Sequence, residues 1–148
     1  MDLKKNKQLN NLFNHTTYSA SETEELGIKF SNIIEKGDVV TLNGDLGSGK
    51  TTFVKGVLKG LNYTDEVTSP TFTLINEYNA DYKIIHLDCF REKDINRWLN
   101  IGLIDYFSKD DIMFIEWPEI IHDILPKKKI NLFFESISIN ERLIKYNG

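Results

Sequence analysis

The spacing of apolar positions changes several times along the chain, and each change marks an element. Asp38-Val39-Val40-Thr41-Leu42-Asn43 is a short, β-branched, apolar-rich run and reads as a buried strand. Phe53, Val54, Val57, Leu58 and Leu61 then recur at helical spacing, so a helix follows that strand. Earlier in the chain, Leu26, Phe30, Ile33 and Ile34 show the same spacing. Ser21-Glu22-Thr23-Glu24 has the S-x-x-E form of a capping box, and Gly37 suits the helix end. Residues 12–19 are expected as a short edge strand. Phe72, Leu74, Asn76 and Tyr78 alternate with Thr73, Ile75 and Glu77, which predicts a strand. Asn79-Ala80-Asp81 predicts a turn, and residues 82–87 a second strand. So short a connection makes that pair antiparallel.

Helical segments are expected over residues 95–99 and 101–107. Ile112-Met113-Phe114-Ile115 is a continuous apolar run, as in a strand buried on both faces. Pro118 suits the first turn of a helix carrying Ile120, Ile121, Ile124 and Leu125. Residues 130–139 and 142–146 alternate weakly and read as a closing pair of strands. Together these elements predict an α/β fold, a P-loop NTPase-like domain spanning residues 1–148. Its central sheet is mixed parallel and antiparallel, flanked by helices, with a nucleotide site at the carboxyl ends of the strands.

Composition narrows the setting. The chain has 148 residues, 41% hydrophobic and 27% charged, enough to bury a core without metal or disulfide. Cys89 is the sole cysteine, which excludes an internal disulfide and a cysteine metal cluster. No apolar run approaches bilayer length, and the lysine-containing stretch 1–11 lacks the apolar segment of a secretory signal. A cytoplasmic protein with no membrane partner is expected. The formal net charge is −4, whereas a protein that grips RNA or DNA by itself usually shows a basic surface. Lys127-Lys128-Lys129 reads as a solvated turn. Any nucleic acid involved is therefore expected to be held mostly by a partner.

The chemistry centres on Gly44-Asp45-Leu46-Gly47-Ser48-Gly49-Lys50-Thr51, a complete G-x-x-x-x-G-K-[ST] loop set between a strand and a helix. Its glycines permit backbone angles that turn N–H groups inward around anionic oxygens. The helix N-terminus behind the loop adds a favourable dipole. Lys50 would reach the β- and γ-phosphates of a bound triphosphate, and Thr51 would give its hydroxyl to Mg²⁺.

Hydrolysis further needs a carboxylate on the metal side and a group that places water. Asp88 and Glu116 each end an apolar run, and spacing alone leaves open which of them serves the metal. Ser69 or Thr71 could sense the γ-phosphate or could simply bond the backbone of a Pro-containing turn. Arg91 reads as a surface ion pair or a phosphate ligand. Trp117 reads as a core aromatic by default, His86 as a structural histidine and Cys89 as packing.

Four segments in order, Gly44 through Thr52-Phe53, Ser69-Pro70-Thr71-Phe72-Thr73-Leu74, His86-Leu87-Asp88-Cys89-Phe90-Arg91 and Ile115-Glu116-Trp117-Pro118-Glu119, resemble the TsaE family, formerly YjeE. These are the bacterial ATPases of tRNA threonylcarbamoyladenosine synthesis. The likeness runs from about residue 21 to residue 118, and the tail beyond it is only loosely similar. It implies that Asp88 is the Mg²⁺-side carboxylate and that Glu116 is the catalytic acid near the γ-phosphate and its metal, with Trp117 beside it. Ser69 and Thr71 would belong to a switch-like loop, and Thr52 would extend the nucleotide-binding stretch. It also implies action with the TsaD–TsaB heterodimer, which transfers the threonylcarbamoyl group to the adenosine next to the anticodon. Asp94-Ile95-Asn96-Arg97-Trp98-Leu99 departs from the family's acidic stretch there.

Two other classes remain open at this point. A small-molecule kinase on the same loop would add an arginine-rich lid, and this chain has only Arg91, Arg97 and Arg142. A nucleotide-binding switch without hydrolysis would not need the second acid, Glu116.

Overall fold

A computed structural model describes residues 2–71 and 73–148. Its helices are α1 (Leu3–Leu12), α2 (Ala20–Phe30), α3 (Lys50–Gly60), α4 (Ile95–Asn100) and α5 (Leu103–Tyr106), with a 3₁₀ helix over Pro118–Ile124. Its strands are β1 (His15–Thr17), β2 (Val39–Asn43), β3 (Ile75–Asn79), β4 (Lys83–Asp88), β5 (Ile112–Glu116), β6 (Ile130–Ser136) and β7 (Arg142–Asn147). They form one sheet in the order β1-β7-β6-β2-β5-β4-β3. The three strands that end at the loop and its carboxylates are mutually parallel: β2 pairs with β5, and β5 with β4. The hairpins β3–β4 and β6–β7 are antiparallel, as is β1 on β7. A mixed sheet flanked by helices, the expected class, is what forms.

Alternation along the parallel strands explains the two cores, because successive side chains take opposite faces. Val40, Leu42, Ile84, Ile112, Phe114, Ile130 and Leu132 pack beneath α1, α2 and α3. Val39, Ile85, Leu87, Met113 and Ile115 pack on the other face with Trp98, Leu103 and Ile121. Phe13, Phe30, Phe53, Phe114 and Phe134 form a ring cluster with neighbouring centroids 5.4 to 6.3 Å apart. Helices α2 and α3 approach so closely that a Cβ on Gly56 would overlap the Glu24 carbonyl oxygen. One on Gly27 would overlap the Phe53 carbonyl oxygen. Side-chain-free positions thus set the spacing that fixes α3 over the sheet.

Several boundaries differ from the sequence pattern. The cap of α2 is Ser19, not Ser21: Ser19 Oγ accepts from the Glu22 N–H at 3.1 Å, and Glu22 Oε2 accepts from the Tyr18 N–H at 2.6 Å. The helix ends at Phe30 rather than running on to Gly37, which lies in a turn where its N–H donates to the Asp111 carbonyl. Strand β3 starts at Ile75, because Leu74 adopts a left-handed φ of 67° and its N–H closes on the Pro70 carbonyl. Phe72, placed in that strand by its alternation, lies outside the described residues. The segment after Pro118 is 3₁₀, with Pro118 at its start as expected.

Helix α1 has no counterpart in the sequence reading. Asp2 caps it, Leu9 is buried, and Lys5 Nζ reaches Asp38 at 2.6 Å and Glu35 at 3.3 Å. Tyr146 also donates its hydroxyl to Asn6 Oδ1 at 2.7 Å. Lys127 and Lys128 are exposed in a turn, as expected. Among the described residues no helix is long and apolar enough to cross a membrane.

Candidate functional site

Three parallel strands deliver the site. The loop leaves the end of β2, Asp88 closes β4 and Glu116 closes β5, with Asp88 and Glu116 in register across the β4–β5 pair. A cavity of about 320 Å³ opens above these ends, at the N-terminus of α3. Of the residues predicted to bind nucleotide, metal or the reacting phosphate, Leu46, Gly47, Gly49, Lys50, Thr51, Thr52, Thr71, Asp88, Glu116 and Trp117 line it, together with Ser69. Gly44, Asp45 and Ser48 build the loop from behind. A Cβ on Gly44 would crowd the Phe134 carbonyl oxygen and Ser48 Oγ. Gly49, at φ 101°, takes the left-handed turn that starts α3. Asp45 is exposed, and its carbonyl accepts from the Ser48 N–H. Ser48 is buried, and among the described residues its Oγ has no hydrogen-bond partner. Arg91 does not line the cavity.

Lys50 is 5% exposed. Its Nζ donates to the Gly44 carbonyl at 2.5 Å and stands 4.4 Å from the centre of the Trp117 ring. Burial lowers the pKa of this ammonium; Glu116, Asp88, Asp45 and Glu119 oppose the shift. A desolvated cation held on a neutral carbonyl and an aromatic face is poised for an anion. Trp117 is half-buried: it packs against the second core and also lines the cavity. Its backbone is left-handed, φ 54°, an uncommon state for a bulky residue, and its ring lies 4.9 Å from that of Phe90.

Asp88 is 3% exposed and already engaged. Oδ1 accepts from the Phe90 N–H at 2.9 Å, and Oδ2 accepts from Thr71 Oγ1 at 3.0 Å. Ser69 Oγ lies 2.7 Å from the same Thr71 hydroxyl. The loop after α3 is thus tied to the end of β4 by a hydroxyl that reaches a carboxylate, not only the local backbone. Glu116, 4% exposed, lies 3.3 Å from His86 Nε2 through Oε2. The histidine read as structural is therefore in contact with a site acid.

The far end of the cavity was not found from sequence. Ser19, Ala20 and Thr23 come from the start of α2; Ile139, Asn140 and Arg142 come from the β6–β7 turn. Arg142 donates from one guanidinium nitrogen to the carbonyls of Ser138, Ile139 and Glu141, and from another to the Gly47 carbonyl at 3.1 Å. It couples the closing hairpin to the phosphate loop. Nothing local to Arg142 signals this; only the sheet order brings β7 to the loop.

The donor set suits a magnesium nucleotide. Thr51 and Asp88 offer the hard oxygens that Mg²⁺ takes, beside a lysine for phosphate and a helix N-terminus. Residues 17–144 match the family described as Threonylcarbamoyl adenosine biosynthesis protein TsaE. The chain belongs to the TsaE family.

Relatives within the family cover most of the sequence. The chain is 37% identical over 133 residues to the tRNA threonylcarbamoyladenosine biosynthesis protein TsaE of Bacillus subtilis, covering 89% of this chain and 83% of that one. It is 44% identical over 110 residues to the protein of the same name from Haemophilus influenzae, covering 70% of each. Among solved structures it is similar to Bacillus subtilis YdiB, with a TM-score of 0.76 and 33% identity over 89% of this chain and 82% of that one. The fold is that of a P-loop NTPase, shared with this TsaE relative.

Proposed function

We propose that this protein is the ATP-binding, Mg²⁺-dependent ATPase subunit that supports threonylcarbamoyladenosine modification of tRNA, acting in the cytoplasm with the TsaD–TsaB heterodimer. The observation that carries this reading is the convergence of Lys50, Asp88 and Glu116, all buried, on one cavity at the N-terminus of α3. A binding module would need the lysine and the loop. The second carboxylate is what hydrolysis adds.

The roles follow from position. Loop N–H groups and Lys50 hold the β- and γ-phosphates. Thr51 and Asp88 would hold Mg²⁺, and Glu116 lines the same cavity. When bound, the ion neutralises charge on the phosphate oxygens. Glu116 orients the attacking water and takes its proton at a carboxylate oxygen. Thr71, hydrogen-bonded to Asp88, carries the state of that end of the site into the loop it belongs to. The formal charge of −4 supports a division of labour in which tRNA is held by the partners.

The test is steady-state ATP hydrolysis by the purified protein, alone and with the purified TsaD–TsaB pair, with and without Mg²⁺. Metal-dependent turnover that changes when the pair is added is expected. Absence of hydrolysis in every condition would remove the ATPase reading. Transfer of the γ-phosphate to a small acceptor would replace it with a kinase.

A further inference from the structure

His86 is fully buried, and among the described residues neither of its ring nitrogens finds a hydrogen-bond partner. That is an expensive arrangement for a residue whose place in the core could be filled by Leu or Phe. A buried polar group left unpaired carries an uncompensated desolvation penalty, and such groups are rare in folded proteins. Packing alone therefore does not account for an imidazole at this position.

The surroundings say what the ring is for. In β4, His86 shares a face with Ile84 and Asp88, and it is paired with Phe114 of β5. Two residues further along β5 stands Glu116, on the same face and in register with Asp88. His86 Nε2 lies 3.3 Å from Glu116 Oε2, near enough for a hydrogen bond but without its alignment. Asp88 is differently placed, since both of its oxygens already accept hydrogen bonds from Phe90 and Thr71. Hydrogen bonds among catalytic groups are often long or misaligned in the free enzyme and tighten only when substrate is bound.

We infer that His86 is a positioning residue for Glu116: in the tautomer that carries its proton on Nε2, it donates to Oε2 and fixes the carboxylate against the cavity. His86 touches neither nucleotide nor water. It acts only through Glu116, and it holds that side chain in one orientation so that Oε1 remains available to the reacting end of the cavity. The inference rests on the ATPase reading above.

The experiment is kinetics of hydrolysis in the presence of the TsaD–TsaB pair for the wild-type protein and for His86→Leu, His86→Asn and His86→Gln, each also in a Glu116→Gln background. Gln places a donor nitrogen near the position of Nε2, whereas Asn is polar but too short to reach Oε2. His86→Leu and His86→Asn should lower kcat by roughly tenfold to a hundredfold, the scale of a misplaced catalytic group, with KM for ATP unchanged within a few-fold. His86→Gln should recover most of that loss. In the Glu116→Gln background the His86 substitutions should cost little more, because residues that act as one unit are not additive.

Equal losses in all three variants would overturn the inference, as would full additivity with Glu116→Gln, or a wild-type kcat in His86→Asn. If His86→Leu does not fold, the Asn and Gln variants decide the matter between them. Absence of hydrolysis by the wild-type protein would sink the ATPase reading and this inference together. Wild-type hydrolysis with unaffected His86 variants would sink this inference alone.

Discussion

The Lys50 ammonium sits 4.4 Å from the centre of the Trp117 ring, and Trp117 accepts a left-handed backbone to put the ring there. A non-glycine residue at such an angle costs of order 1–3 kcal/mol and persists only where its surroundings fix it. The indole and the Gly44 carbonyl together hold this buried cation in place, and Glu116 and Asp88 favour its charge. Lys50→Ala should therefore weaken ATP binding at least about tenfold, the scale of a lost charge-assisted contact. Trp117→Leu should weaken it less, by the roughly 0.5–2 kcal/mol of a cation–π contact. Titration of a labelled ATP analogue measures both. Unchanged affinity in Lys50→Ala would contradict the role given to the loop.

Two carboxylates at the ends of neighbouring strands should separate in kinetics. Asp88 is tied to Thr71 and to the Phe90 amide, while the Glu116 carboxylate stands 3.3 Å from His86 Nε2. Asp88→Ala should retain part of the nucleotide affinity and lose Mg²⁺-dependent turnover. Glu116→Gln, which keeps shape and removes charge, should lower kcat with affinity within a few-fold, as expected for an interaction made chiefly in the transition state. Wild-type turnover in a folded Asp88→Ala protein, or lost affinity with unchanged kcat in Glu116→Gln, would reverse the assignment.

Gly56 tests the packing that holds α3, and with it the loop, over the sheet. A methyl group there would overlap the Glu24 carbonyl oxygen, a backbone atom that cannot step aside without moving α2. Gly56→Ala ordinarily favours a helix by about 1 kcal/mol. Here overpacking at the upper end of its usual range, about 3 kcal/mol, should prevail. The melting temperature should fall by several degrees. A rise on calorimetry would mean that the two helices are not so closely set.

The parts of this molecule legible in its sequence are those that carry a local pattern. The loop, its flanking strand and helix, and the acids Asp88 and Glu116 each carry a short-range signature, and each stands where expected. Helix α1 was missed because its stability is tertiary. Of its ten residues only Lys5 and Leu9 are buried, and an ion pair to Asp38 anchors it from 33 residues away. The α2 cap was displaced by two residues because Ser19 and Ser21 both precede a glutamate at the same spacing. The β6–β7 side of the cavity was invisible for a different reason. Arg142 reaches Gly47 across 95 residues of sequence, a contact that exists only because β7 lies beside β6. His86 looked structural because a histidine inside a strand gives no sign of which acid stands diagonally across from it.

Cys89 gives a prediction with a definite pH sign. Burial, with Asp88 beside it, raises its thiol pKa to about 12. The unfolded chain would release this proton near pH 8.5–9. Between that pH and about 12 the native state therefore binds more protons than the unfolded state, and the thiol's contribution to stability declines as pH rises. Below that window it has no effect. At pH 8 the native thiol should react with iodoacetamide far more slowly than the denatured one. Equal rates would show that the residue is neither buried nor protonated.

The partner is tested by reciprocity. Thr71 is bonded to the Asp88 carboxylate, so a magnesium nucleotide that engages Asp88 is expected to alter the position or freedom of the Ser69–Thr71 loop. If the TsaD–TsaB pair docks against a surface that includes this loop, it distinguishes the nucleotide-bound state from the free one. By linkage it must then change ATP affinity by the same factor that ATP changes docking. The negative charge of this chain predicts, in addition, that its own binding to tRNA is weak and falls steeply with salt. Titration of a labelled ATP analogue with and without the pair should give displaced curves. Sedimentation should show a complex whose population depends on nucleotide. Superimposable curves with no association in either state would leave a stand-alone switch or kinase as the better account of the site.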